Sequence, residues 1–179
     1  MAEKLDALQQ LRDRLAAARR LPLNRLFFAQ TRPVTNRPES SRPILLHPYP
    51  RFILPLSGKK TVRFGDGVRV CREHLNPGEA IFGRPGAWIE EVWNSPHEML
   101  SVIFSFQFTR ILRIEHDGRS PEPDGPELWF HTVTPPGKAL EAALQALVAA
   151  NADSEATRFC FRALLAWIES ICKPRADGC

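Results

Sequence analysis

The sequence predicts a mainly β domain, a sandwich or barrel of short strands, flanked by helices. Three observations predict it. Between residues 43 and 133, short runs rich in β-branched and aromatic residues alternate with turn signals at regular spacing, which is the texture of an antiparallel sandwich or barrel. On either side of that block the apolar residues recur at helical spacing instead. Finally, 16 prolines stand against 10 glycines in 179 residues, and so much proline excludes one long helical bundle.

The elements follow in chain order. Residues 3–20 read as an amphipathic helix, with Leu5, Leu8, Leu11 and Leu15 on one face. Pro22 closes it, so residues 1–25 form an N-terminal helical segment. Residues 26–42 are polar and proline-rich at their end, and read as an arm without periodicity. Residues 43–133 hold the runs ILLH, RFILPL, TVRF, VRVCREHL, AIF, WIEEVW, MLSVIFSF, TRILRIEH and ELWFHTV. Gly65-Asp66-Gly67, between TVRF and VRVC, marks a tight hairpin. Residues 134–173 read as two amphipathic helices. The first carries Leu140, Leu144 and Leu147 on one face. The second is capped by Ser154, striped by Ala156, Cys160, Ala163, Leu164, Trp167, Ile168 and Ile171, and stopped by Pro174. Residues 174–179 are a tail or the start of a linker.

Composition narrows the function classes. The formal net charge is +4 and its excess sits on Arg12, Arg14, Arg19, Arg20 and Arg25. No basic run is interleaved with aromatics, so this reads as a solvated helix face rather than a nucleic-acid contact. Cys71, Cys160, Cys172 and Cys179 form no C-x-x-C pair. Cys160 and Cys172 would stand about 18 Å apart along a helix, too far for a disulfide. With no signal peptide and no membrane-length apolar run, a cytoplasmic protein with reduced thiols is expected. The serines lack a G-x-S-x-G context, and the glycine-rich pieces are hairpin turns rather than phosphate loops. His74, His97, His116 and His131 form no ligand motif and read as surface or structural residues.

The β block resembles the cupin superfamily. That family's first motif is His-x-His, three or four residues, Glu, six residues, Gly. Here its closing glycine falls on Gly58, its Glu position on Arg51, and its His positions on His47 and Leu45. The second motif is Gly, five residues, Pro-x-Gly, two residues, His. Its glycines fall on Gly78 and Gly86, its Pro position on Arg84 and its His position on Ile89. The resemblance covers roughly residues 43–105 and implies a double-stranded β-helix, or jelly-roll, barrel. The glycine framework matches, whereas of the four ligand positions only His47 is competent. One histidine does not hold a transition metal, so no metal or other cofactor is expected.

The same pattern implies which residues face the interior. Ile89, Glu91 and Trp93 point inward, as do His47, Arg51 and Ile53, with Trp88, Glu90 and Val92 outward. Arg51 either grips a ligand's carboxylate or phosphate or pairs internally with Glu91. His47 is a pocket residue or a strand histidine at the barrel mouth, and Trp93 stacks on a ligand or belongs to the core.

A metal-free cupin barrel with trailing helices is similar to the N-terminal domain of bacterial AraC-type transcription regulators. The resemblance implies a domain with no enzymatic activity that senses a small-molecule effector through His47, Arg51, Ile89, Glu91 and Trp93. It also implies a homodimer formed through Ala163, Leu164, Trp167 and Ile171. DNA would be bound through a C-terminal helix-turn-helix module that these residues do not contain, the chain being a piece of a longer regulator. The alternative is a stand-alone cupin enzyme, an isomerase, epimerase or dioxygenase, with His47 and Glu91 as the candidate acid/base pair. A purely structural dimerisation module with a filled barrel is the third reading.

Overall fold

The computed structural model describes residues 2–29, 48–65, 70–104, 109–119, 128–132, 138–149 and 155–171. Three helices and nine strands lie within them: α1 Ala2–Arg20, β1 Arg25–Ala29, β2 Arg51–Gly58, β3 Lys60–Gly65, β4 Val70–Leu75, β5 Glu79–Gly83, β6 Trp88–Val92, β7 Pro96–Phe104, β8 Thr109–Asp117, β9 Leu128–Thr132, α2 Lys138–Ala149 and α3 Glu155–Ile171. The protein is mainly β with flanking helices, as its sequence predicts.

The strands form two sheets, of order β1-β5-β2-β7-β8-β9 and β4-β3-β6. All pairings are antiparallel except β1 with β5. The chain crosses between the sheets at β2 to β3, β4 to β5, β5 to β6 and β6 to β7. The β3–β4 hairpin pairs Gly65 with Val70; the Asp66-Gly67 part of the turn expected there lies outside the described residues.

Alternation along the strands divides the interior into two layers. One face of the large sheet carries Phe52, Leu54, Ala80, Phe82, Leu100, Val102, Phe104 and Ile111. These join Leu11, Leu15 and Ala18 of α1, Leu147 of α2, and Phe161, Leu164, Leu165 and Ile168 of α3. The other face carries Ile53, Ile81, Met99, Leu112 and Ile114, packed against Val62, Phe64, Leu75 and Ile89 of the small sheet. The layers are therefore helices, large sheet and small sheet.

Two local features fit this register. Pro55 has no N–H to donate, and β5 pairs with β2 only through Ile53, so the proline sits where one edge of its strand is free of that neighbour; a bulge follows between Pro55 and Ser57. Gly58 has φ 70°, and a Cβ there would lie 2.3 Å from the Pro96 carbonyl oxygen. That position therefore requires glycine.

Two expectations need correction. Residues 25–29 form an edge strand rather than the end of a helical segment and the start of an arm. The run RLFFA is short, and its strand state depends on pairing with β5, far away in sequence. The buried face of α3 is Thr157, Phe161, Leu164, Leu165 and Ile168, while Ala156 and Ala163 are exposed. The bulkier Phe161 and Leu165 rotate the buried face away from the alanines. Trp88 keeps the outward side of β6 that alternation gives it, near the Arg63 guanidinium that pairs with Glu90, and is nevertheless buried, at 1 % exposure. The ILLH run, Ser154 and most of the arm lie outside the described residues.

Candidate functional site

Beside the apolar wall between the sheets stands a group of polar side chains, each placed there by strand alternation. Arg51 and Ile53 share a face of β2, and Lys60, Val62 and Phe64 share one of β3. Ile89 and Glu91 share a face of β6; Trp93 follows. On β7 the inward residues are His97, Met99 and Ser101, and on β8 they are Leu112, Ile114 and His116. Register then brings partners into reach. Val62 lies opposite Glu91, Ile53 opposite Ser101, and His97 opposite both Gly58 and His116.

Arg51, 8 % exposed, ties three strands together. Its Nε donates to Ser101 Oγ at 3.0 Å and its Nη2 donates to Glu91 Oε1. Lys60 is fully buried, and its Nζ lies 3.3 Å from Glu91 Oε2. The same ammonium sits 3.2 Å from the centroid of the Trp93 ring and donates a long bond, 3.5 Å, to the Val92 carbonyl. The expected Arg51–Glu91 pair thus exists, but as part of a triad with Lys60. Among the described residues, Arg51 and Lys60 thus share the one carboxylate of Glu91.

Burial alone would raise the Glu91 carboxyl. The Arg51 guanidinium and then the Lys60 ammonium outweigh it and hold the group below the usual carboxylate range. Glu91 therefore stays charged near neutrality, which makes it a poor proton carrier for the acid/base pair of an epimerase. Lys60 moves the other way. Desolvation lowers it from 10.5 to about 8, against the opposing charge of Glu91.

Three rings close the group. Trp93 stacks on His97, with centroids 5.4 Å apart and planes 18° from parallel, and meets His116 at 5.1 Å. The two imidazoles are themselves 5.3 Å apart, as a cross-strand pair should be. His97 Nδ1 lies 2.7 Å from the Ser95 carbonyl, which can only accept. The proton is thereby placed on Nδ1, and Nε2, buried without a hydrogen-bond partner, is left as a bare acceptor. Burial lowers the His97 pKa from 6.5 to about 4, with Lys60 and His116 adding to the effect, so this ring is neutral near pH 7. His116 Nδ1 accepts from the Gly118 N–H at 2.9 Å.

The histidines also line an open groove at the ends of β2, β7 and β8, of about 630 Å³, walled besides by Ser57, Gly58, Pro96 and three carboxylates, Glu98, Glu115 and Asp117. His97 belongs both to this groove and to the cluster of rings.

Of the residues named from the sequence, Arg51, Glu91 and Trp93 come together here. Ile89 belongs to the adjoining apolar wall, and His47 lies outside the described residues. Lys60, Ser101, His97 and His116 were missed. Period two in LRIEH carries Leu112, Ile114 and His116 inward, and Lys60 precedes TVRF in phase with Val62. That phase was the available signal, obscured because SGKK and NSPH read as turns.

Comparisons with protein-family models, with curated proteins and with solved structures found no match.

Among the described residues, no group of three or more His, Cys, Asp or Glu side chains could hold a metal ion. Of the positions at which the cupin resemblance implies ligands, Arg51 carries a paired cation and Ile89 an apolar side chain. No helix among the described residues is long and apolar enough to cross a membrane. On α3, Leu164 is buried in the chain's own core and Trp167 packs half-buried against it. Ala163 and Phe159, the latter 62 % exposed, face outward; the side chain of Ile171 lies outside the described residues.

Proposed function

We propose that this chain is the effector-sensing and dimerisation domain of an AraC-type transcription regulator, built on a metal-free cupin barrel that holds a small anionic ligand. The observation that carries the reading is the charge between the sheets: among the described residues, Arg51 and Lys60 converge on Glu91 beside the Trp93 and His97 rings. A buried cluster of charges is costly to assemble and is a candidate place for a charged ligand to join. The strand order supports the barrel, since β7-β2-β5 over β6-β3-β4 is the order of six consecutive jelly-roll strands.

On this reading the ligand occupies the space between the sheets. The change is passed through β2 and β7, whose outer faces carry the helices through Phe52, Leu54, Leu100 and Val102. The outer face of α3, with Phe159 and Ala163, meets a second copy. DNA is bound by a helix-turn-helix module separate from these elements.

Sedimentation of the protein with and without an anion found by thermal-shift screening tests the reading. The expected result is a dimer whose dissociation constant changes at least fivefold on ligand binding. A monomer at high concentration in both conditions, or turnover of the ligand, would overturn it.

A further inference from the structure

The outward face of α3 is complementary to itself. Phe159, 62 % exposed, is the most exposed large apolar side chain among the described residues. Glu155, Ala156, Arg162 and Ala163 are exposed around it. At about 100° and 1.5 Å per residue, Glu155 stands about 6 Å before Phe159 and Arg162 about 4.5 Å after it, both turned to the same side. Ala163 and Ala156 occupy the opposite side, about 6 Å after Phe159 and about 4.5 Å before it. Among the described residues, the side chains of Glu155 and Arg162 form no hydrogen bond or ion pair. An exposed ring is thus flanked on one side by two opposite charges without partners and on the other by two small residues.

We propose that this face binds the same face of a second copy, the two α3 helices running antiparallel about a two-fold axis at Phe159. The inference rests on the dimerisation reading above and names the contacts that fix the direction of the helices. In an isologous contact residue i meets j and j meets i. About this axis Glu155 of each copy meets Arg162 of the other, and the two Phe159 rings meet at the centre. Ala156 meets Ala163, and these small side chains let the helices approach closely. A parallel pair would instead set Glu155 against Glu155 and Arg162 against Arg162, so flanking charge decides the orientation. An acidic partner of another kind would suit Arg162 but be repelled by Glu155. A cleft between α3 and Pro22, Leu23 and Asn24 runs along the charged flank and gives the long side chains of the second copy room to lie.

The test is sedimentation equilibrium of the full chain, of Glu155→Arg, of Arg162→Glu and of the double variant. Each single swap should weaken self-association at least tenfold, because both symmetric pairs change from attraction to repulsion. Equal amounts of the two single variants should form a mixed dimer about as tight as wild type, which also shows that both are folded. The double variant should recover likewise. A wild-type dimer that both single swaps leave intact would overturn this surface and leave the dimerisation reading standing. Weakening that neither the mixture nor the double variant restores would overturn the antiparallel register. A wild-type chain that stays monomeric at high concentration would overturn both this surface and the dimerisation reading.

Discussion

Replacing Glu91 by glutamine removes the carboxylate that Arg51 and Lys60 both face in the interior. The outcome can be worked from the triad. Breaking a buried pair by removing one partner costs about 3–5 kcal/mol, because the remaining charge is left uncompensated. In a chain of this length each kcal/mol moves the melting temperature by about 2–4 °C, so Glu91→Gln should lower it by roughly 6–20 °C. Lys60→Met should behave oppositely. Its pKa drop from 10.5 to about 8 corresponds to about 3 kcal/mol spent on keeping the buried ammonium charged at neutral pH. Methionine removes that penalty, keeps an apolar stem against Trp93, and leaves Arg51 and Glu91 as a neutral pair. Lys60→Met should therefore melt at or above the wild-type temperature. Circular-dichroism melts at pH 7 decide the matter. A melting temperature for Glu91→Gln within about 2 °C of wild type, or a larger loss for Lys60→Met than for Glu91→Gln, would refute the account of the triad.

Acid should destabilise the fold through His97. Its folded pKa of about 4 lies below the ordinary imidazole value of 6.5, so the unfolded state binds the extra proton between those values and stability falls as pH drops from 6.5 to 4, by up to about 3 kcal/mol; urea titrations of wild type and His97→Phe should show the slope in the first and its loss in the second. At the proposed dimer face, Ala163→Glu places a charge on the exposed side of α3 beside Phe159 and should weaken self-association at least tenfold in sedimentation without lowering the melting temperature of the monomer.

The fold was legible because its signals are local. Strand runs from RFILPL to ELWFHTV all became strands, since period-two burial and turn residues are written into consecutive positions. Gly58 and Gly78 were found by motif spacing, and both have positive φ, at 70° and 89°. A Cβ on Gly78 would lie 2.3 Å from the Pro22 carbonyl oxygen, so that glycine secures the turn onto β1. The strand β1 itself was not legible, because nothing within RLFFA says that β5 will be its partner. On α3 the period was right and the phase was wrong: aliphatic and small residues wrap much of the helix, and contact with α1 and the large sheet selects Phe161 and Leu165 over Ala163.

The site divides along the same line. Alternation put Arg51 and Glu91 on facing strands, and their pairing follows from charge once both point inward. Lys60 escaped because lysine ordinarily belongs outside and because it stands next to Lys59 in what reads as a turn. Gly58, with its positive φ, lets β2 pass into β3 within two residues, so that β3 starts at Lys60 itself and sends that side chain inward. The turn geometry thus determines the charge of the interior. Had the β2–β3 turn been one residue longer, Lys60 would lie outside its strand and its ammonium would no longer face Glu91. Anion binding, as proposed above, would therefore depend on a backbone feature as much as on the lysine. A glycine inserted between Gly58 and Lys59 should remove anion binding while the Arg51–Glu91 pair and the two sheets persist.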